Sequence, residues 1–413
     1  MGLVVSDRLS QRFLKAPVEK EVRPEVVSDQ THLDISPPHL YLHAGTVSTE
    51  NEPICIMSVV SAKPPIDVVI PVYNAPALTL RCIESVVTWL GRSIRYIYVQ
   101  DDASGLETRQ MLDGLSYGCL RVHHAPKNQG FGASVNEAVS RSDAPYVLVL
   151  NSDTVVSEDI LPALHGALEA DPKLAVIIPG GNDYARDDLN RYVRKAGGYV
   201  RTHRLRGHAF LMRRDVFVEA GGFDVTFGRG YYEDTDLGRR FNLGGWQLGV
   251  HPDVHIQHEG GGSFGRGQSY LKLVKRNRAL YFSRHPNASL NVLLLSGNCP
   301  LTHFPSDLVD ALEYVFREGG YVHWLTPEPA RSLLCLQMRS YGIGLEAIVR
   351  LLVRDFRSEK RISEIWMLPD APRLLRMVAR SYARLWGIKV KSWDWASTAN
   401  CAQSIASTSA LVR

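Results

Sequence analysis

The sequence has few of the features that assign a chain quickly. None of its six cysteines (Cys55, Cys82, Cys119, Cys299, Cys335, Cys401) stands in a C-x-x-C pair. That spacing speaks against a zinc ribbon or a thioredoxin-like centre, and scattered thiols in a chain of 413 residues fit a reducing compartment. Apolar runs such as Asn291–Leu295 stop far short of the roughly 20 residues that a membrane helix needs. The N-terminus interleaves Asp7, Arg8, Arg12 and Lys15 with its apolar residues and has no signal-peptide core, so a cytoplasmic protein is expected. A formal net charge of +4 is too small to argue for nucleic acid as a partner. What remains is an ordinary globular composition, 45% hydrophobic and 22% charged, long enough for two domains with buried cores.

Prolines 24, 37, 38, 53, 64 and 65 interrupt any period over residues 1–65, which reads as an arm or linker. From Ile66 strands and helices alternate. Strands are expected at Ile66–Val72, Ile94–Val99, Leu120–His123, Tyr146–Leu150 and Leu174–Ile178, with helices at Ala77–Leu90, Gly105–Leu115, Phe131–Ser140 and Glu158–Ala170. Repeated β-α units of this length predict an α/β fold with a mostly parallel sheet covered on both faces, Rossmann-like, over 66–287. A smaller α/β domain is expected over 288–396. Its strands are Asn291–Leu295, Tyr321–Leu325, Ile362–Leu368 and Ile388–Trp393, and Ser306 caps a helix that ends at Gly319-Gly320. Residues 397–413, rich in Ser, Ala and Thr, read as a frayed tail.

In such sheets ligands bind at the carboxyl ends of strands, which directs attention to Tyr73-Asn74, Asp101-Asp102 and Asn151-Ser152-Asp153. A strand-end carboxylate such as Asp153 suits a hard divalent cation; the plainer reading is an Asx turn capping the next helix. In Glu233-Asp234-Thr235-Asp236, Asp236 and Arg240 are four apart and pair on a helix, leaving Asp234 at the helix start. There the dipole favours its ionised form, as a general base requires, although an acidic first turn also stabilises a helix with no further role. His258 follows the strand-like Val254–Gln257 and opens a glycine-rich loop, and neutral imidazole is a competent metal ligand. A lone histidine is more often structural.

Seven motifs in order carry a resemblance: Ile-Pro-Val-Tyr-Asn (70–74), Asp-Asp-Ala-Ser (101–104), Asn-Gln-Gly-Phe-Gly-Ala-Ser-Val-Asn (128–136), Leu-Asn-Ser-Asp-Thr (150–154), Gly-Gly-Phe-Asp (221–224), Glu-Asp-Thr-Asp-Leu (233–237) and His-Glu-Gly-Gly-Gly-Ser (258–263). Together they resemble family 2 glycosyltransferases, most of all the rhamnosyltransferase-like branch that builds bacterial surface polysaccharides. The resemblance implies a GT-A fold and an inverting transfer of a hexosyl or deoxyhexosyl group. The implied donor is a nucleotide-diphosphate sugar, linked to uridine, thymidine or guanosine, and the acceptor a glycan or lipid-linked hydroxyl. Carried over by position, Pro71, Tyr73 and Asn74 line the nucleotide pocket, Asp101 reads the base, and Asn128 and Gly130 shape the ribose and diphosphate side. Asn151, Ser152 and His208 lie near the sugar, Asp153 and His258 hold Mg²⁺ or Mn²⁺, and Asp234 with its neighbour Glu233 forms the catalytic pair. One departure is Asn151, where the family often has aspartate; an amide lacks the charge, so metal affinity is expected to depend on bound nucleotide.

Phe210 and Met212 are expected in the core, and Asp183–Arg206 as an acceptor loop or a solvated excursion. Arg266 is a candidate for the diphosphate, and Ser296-Gly297-Asn298 a weak ligand loop in the second domain. Arg373, Arg376, Arg380 and Arg384 share one helical face and suit either solvent or an anionic membrane carrying the acceptor, peripheral contact at its inner face. Two other classes compete. A sugar nucleotidyltransferase needs a glycine-rich basic loop after the first strand, where this chain has Pro71-Val72-Tyr73-Asn74. A catalytically silent glycan-binding relative is disfavoured by the intact Asp153, Asp234 and His258.

Overall fold

The computed structural model describes residues 66–185, 187–260, 268–344 and 361–394. The arm expected at 1–65, Arg266 and the tail from 397 lie outside the described residues. The described residues all belong to one compact unit, Val59–Arg413.

The first strand, β1 (Ile66–Val72), is buried along its whole length because both of its faces are covered. Its odd-even alternation splits between two cores. Val68 and Ile70 pack with Ile83 and Val86 of α1 (Pro76–Leu90) and Leu164 and Leu168 of α4 (Leu161–Ala170). Val69 packs with Val135 and Val139 of α3 (Phe131–Ser140), Val216 and Phe217 of α5 (Arg214–Glu219), and Leu237 and Phe241 of α6 (Glu233–Leu243). This two-sided burial is why the strand reads as a continuous apolar run rather than an alternating one.

Parallel pairing runs from β3 (Leu120–His124) through β2 (Ile97–Asp101) and β1 to β4 (Tyr146–Leu150). The order then continues through β8 (Ala209–Arg213), β6 (Leu174–Gly181), β9 (Gln247–His258) and β5 (Thr154–Val155), with β7 (Val200–Thr202) paired to β9. Strand β8 is antiparallel to both of its neighbours. Its start therefore lies at the edge where β1, β4 and β6 end.

Several expected boundaries moved for local reasons. Strand β2 opens at Ile97, not Ile94, because a turn closes helix α1 with Ser93 N–H donating to the Leu90 carbonyl. Helix α4 starts at Leu161, not Glu158, with proline in its first turn and Asp159 accepting from the Leu161 amide. Phe210 and Met212 are in the core, both 0% exposed.

A second sheet is wholly parallel, in the order β12 (Met338–Gly342), β11 (Tyr321–Thr326), β10 (Asn291–Leu295), β13 (Glu364–Met367), β14 (Lys389–Ser392). Helix α8 (Ser306–Arg317) covers one face through Leu308, Leu312, Val315 and Phe316. The remaining described helix of this part, called α9 here (Arg373–Trp386), covers the other through Leu375, Ala379 and Ala383. Ser306 is the first residue of α8 rather than its cap; the cap position is Pro305 and no side chain caps it. The Ser296–Asn298 loop is committed internally. Ser296 Oγ accepts from the Trp324 indole at 2.7 Å, and a Cβ on Gly297 would run into Asp370.

The two sheets meet over buried polar contacts. Arg201 of β7 pairs two guanidinium nitrogens with Glu313 of α8 at 2.7 and 2.6 Å, and Arg239 of α6 pairs with Glu318 at 2.6 Å. The Gln337 side chain accepts from the His203 amide at 2.8 Å.

Candidate active site

Five non-glycine residues among those described have positive φ: Asn74, Ala75, Ala103, Tyr231 and Tyr232. All lie after β1 and β2 or just before α6, around one edge of the first sheet. Left-handed backbone at such residues costs free energy and persists where the surroundings over-determine it, which happens most at functional sites. That edge opens into a cleft of about 810 Å³, in the range of ligand pockets. Nine buried side-chain polar atoms among the described residues lack a hydrogen-bond partner, and five belong to residues on the cleft wall: Asn128, Ser134, Asn151, His208 and Glu233. Buried polar groups are nearly always paired, so this concentration points to a ligand that completes them.

The wall is built from strand ends. Asn151, Ser152 and Asp153 follow β4, and the Asn151 amide donates to the His208 carbonyl at 2.8 Å because β8 starts where β4 stops. The short strand β5 pairs Thr154 with His258, which sets Asp153 beside the end of β9. Asn182 clamps that end from the turn after β6, its amide donating to the His258 carbonyl at 2.7 Å and its oxygen accepting the His258 N–H at 3.1 Å. The clamp brings Asp183 to the histidines. His258 Nδ1 lies 2.8 Å from Asp183 and Nε2 3.4 Å from Asp153, while His208 Nε2 lies 3.2 Å from Asp183. The two rings stack with centroids 4.9 Å apart.

The two imidazoles are driven apart in charge. Burial holds His208 down at about 4, against the attraction of Asp183. Burial opposes charge on His258 as well, but hydrogen bonds to Asp153 and Asp183 outweigh it and raise that ring to about 9. Donor atoms of Asp183, His208 and His258 fall within 4.8 Å of one another. These oxygen and imidazole groups would hold a divalent cation once His258 gives up its second proton to it.

The start of α6 lines the same cleft. Asp234 accepts from the Thr235 amide at 2.6 Å and from the Gly207 amide at 3.1 Å, and its carboxylate faces the cleft. Burial, and then the neighbouring Asp234 charge, push Glu233 well above the usual carboxylate range. Asp236 and Arg240 pair at 2.8 Å as their spacing predicts, and His285 binds the other oxygen of Asp236 at 2.9 Å. Asp236 therefore braces the helix and leaves Asp234 available. Tyr231 and Tyr232 are held in their conformation from α7 (Gln268–Arg284), where the buried Asn277 amide lies 2.7 to 3.0 Å from three carbonyls, those of Phe227, Gly230 and Tyr231.

Of the expected site residues, the structure brings Pro71, Tyr73, Asn128, Gly130, Asn151, Ser152, Asp153, His208, Glu233, Asp234 and His258 to one cleft. Asn74 and Asp101 stand off its wall. Asn74 accepts from the Gly105 amide at 2.9 Å and ties two loops together. Asp101 is 0% exposed and accepts from the Ser104 amide at 3.0 Å, with His124 at 2.7 Å. The neighbouring Asp102 lines the cleft instead, accepting from the Gln129 and Gly130 amides at 2.7 and 2.8 Å. Sequence reasoning missed Asp183 as a partner of the histidines; its signal was the Gly180-Gly181-Asn182-Asp183 run closing a strand. It also missed Tyr321, Gln337 and Arg339, which bring the second sheet to the cleft wall.

The model of glycosyl transferase family 2 matches residues 67–225. The glycosyltransferase GlyG of Streptococcus pneumoniae serotype 4 (strain ATCC BAA-334 / TIGR4) is 26% identical over 129 residues, 31% of this chain and 42% of that protein. GlyA of the same strain is 27% identical over 103 residues, 24% of this chain and 14% of that protein. The chain thus spans less than half the length of these curated relatives. Among solved structures, the mannosyltransferase PcManGT from Pyrobaculum calidifontis, in complex with GDP-Man and Mn²⁺, is 16% identical with a TM-score of 0.44, over 62% of this chain and 70% of that one. Residues 67–225 are thus similar to a glycosyl transferase family 2 domain.

Proposed function

We propose that this chain moves a sugar, with inversion, from a nucleotide-diphosphate donor to a hydroxyl of a glycan or lipid-linked acceptor, as in building a bacterial surface polysaccharide. The observation that carries the reading is one cleft lined by two chemically distinct groups: Asp153, Asp183, His208 and His258, and the Asp234 carboxylate, which accepts from the Gly207 amide next to His208. A diphosphate leaving group develops negative charge; Asp183, His208 and His258, with Asp153 beside them, would hold a Mg²⁺ or Mn²⁺ ion, which when bound would supply the compensating charge. The acceptor alcohol is a weak nucleophile. Its proton passes to Asp234 as its oxygen bonds to the anomeric carbon and the bond from that carbon to the diphosphate oxygen breaks. The Gly207 and Thr235 amides orient the base.

Tyr73, Asp102, Asn128 and Gly130 form the nucleotide side in this reading, with Asp101 acting through the loop it anchors. The experiment is a panel of uridine, thymidine and guanosine diphosphate sugars scored for metal-dependent nucleotide release. No release from any of them, with or without Mn²⁺, would sink the proposal. Asp234→Asn should bind donor normally and lose about 10²–10⁴ in kcat, whereas Glu233→Gln should keep most activity. The opposite pattern would make Glu233 the base.

A further inference from the structure

Helix α9 is unusual in what it leaves uncovered. The side facing the second sheet is narrow and built on Leu375, Ala379 and Ala383, and the small alanines let the helix sit close. Larger apolar residues of the same helix face outward: Leu374 is 69% exposed, Met377 60%, Val378 40% and Leu385 76%. At about 100° per residue, Leu374, Val378 and Leu385 fall within an arc of about 40°, with Met377 to one side. Arg373, Arg376, Arg380 and Arg384 fall within an arc of about 80° on one side of that stripe, beyond Met377. The helix contains no acidic residue, and none of its arginines forms an ion pair among the described residues. Nearby carboxylates are turned elsewhere: Glu364 accepts from the Trp366 indole, and Asp370 packs against Gly297. Trp386 at the end of the helix, and Lys389 and Val390 on the edge strand β14, are exposed as well.

We infer that α9 docks on an anionic phospholipid surface, its apolar stripe entering the headgroup boundary while the flanking guanidinium groups bind lipid phosphates. A solvated helix face has no use for a row of exposed leucines, and a nucleic acid would engage the arginines but leave that row in water. A second copy packing antiparallel through the same face about a twofold axis would set arginines against arginines. An apolar sector bordered on one side by arginines, with no anionic side chain, is a composition of helices that lie in the membrane interface. No helix among the described residues is long and apolar enough to cross a membrane, so this contact would be peripheral. The inference stands on α9 alone and does not depend on the proposed transfer reaction.

The full chain should be sedimented with large vesicles of phosphatidylcholine alone and of phosphatidylcholine mixed with phosphatidylglycerol. Binding should appear with the anionic vesicles, weaken as salt is raised, and fall about tenfold or more both in Arg376→Gln/Arg380→Gln/Arg384→Gln and in Leu374→Ser/Leu385→Ser. These exposed substitutions should leave melting temperature and nucleotide release in solution unchanged, which separates this surface from the cleft. Absent binding, equal binding to both vesicle types, or variants that bind like the parent would overturn the inference. So would light scattering that shows a dimer dissolved by Leu374→Ser/Leu385→Ser without any vesicle binding, since the occupant would then be a second copy.

Discussion

Asp183 joins two histidines of different charge, and its carboxylate is shared between them at 2.8 and 3.2 Å. If it is a metal ligand, Asp183→Ala should weaken Mn²⁺ binding by about 10–100-fold, read by electron paramagnetic resonance with nucleoside diphosphate present. Because the residue is exposed, thermal stability should hardly change. A second prediction concerns His203, whose imidazole is held down at about 3 by burial and by the nearby Arg201 charge. An unfolded chain protonates this ring near pH 6.5, whereas the folded one does not until about pH 3. The unfolded state therefore binds the extra proton between those values. The stability His203 contributes is complete above about pH 6.5 and is lost as pH falls, by at most about 1.4 kcal/mol per unit. Urea titrations of His203→Gln should show a shallower fall over that window than the parent. Asp153, Asp234 and His258 were legible in the sequence because each sits in a strand-end or helix-start motif. Asp183 was not, since it approaches the others only through the Asn182 clamp across 76 residues.

Elements meet at this site through backbone that ordinary side chains resist. Gly130 has φ of 94°, and a Cβ there would lie 2.4 Å from the Gly228 carbonyl oxygen and 2.6 Å from the Arg229 Cα. Gly130→Ala should thus push the segment before α6 away from α3, cost about 1–3 kcal/mol, and raise the KM for donor. Denaturant unfolding and steady-state kinetics test the two parts separately. Asn277 holds the same segment from the other side. Asn277→Ala strands carbonyls of Phe227, Gly230 and Tyr231 and should cost about 1–3 kcal/mol, with a drop in kcat as Asp234 loses its fixed position. A kcat equal to the parent's in a well-folded variant would show that α7 only supports the fold. Periodicity announced the helices themselves, and Asp236 with Arg240 followed from a spacing of four. It gave no sign of the positive φ at Tyr231 and Tyr232, where glycine would be the local expectation.

At the scale of the whole molecule the second sheet completes the cleft. Tyr321, Gln337 and Arg339 reach its wall, and Arg204 donates to the Tyr321 hydroxyl at 2.9 Å. Rigid ion pairs hold the two sheets in that relation. Removing one partner of a buried pair leaves the other charge stranded, so Glu313→Ala should cost about 3–5 kcal/mol, toward the lower value because both side chains keep some contact with water. Calorimetry should show a lowered melting temperature, and the KM for acceptor should rise if the second sheet shapes that side of the cleft.

Local pattern determined the alternating β-α units, the strands buried on both faces, and the strand-end positions where polar chemistry gathers. These follow from side-chain period and from turn residues, which act over a few positions. Tertiary structure alone decided which ends converge. An antiparallel β8 carries His208 to the end of β4, a clamp carries Asp183 to His258, and Arg201 reaches Glu313 across 112 residues. Such contacts form by closure of the whole sheet stack, and they have no period along the chain from which to read them.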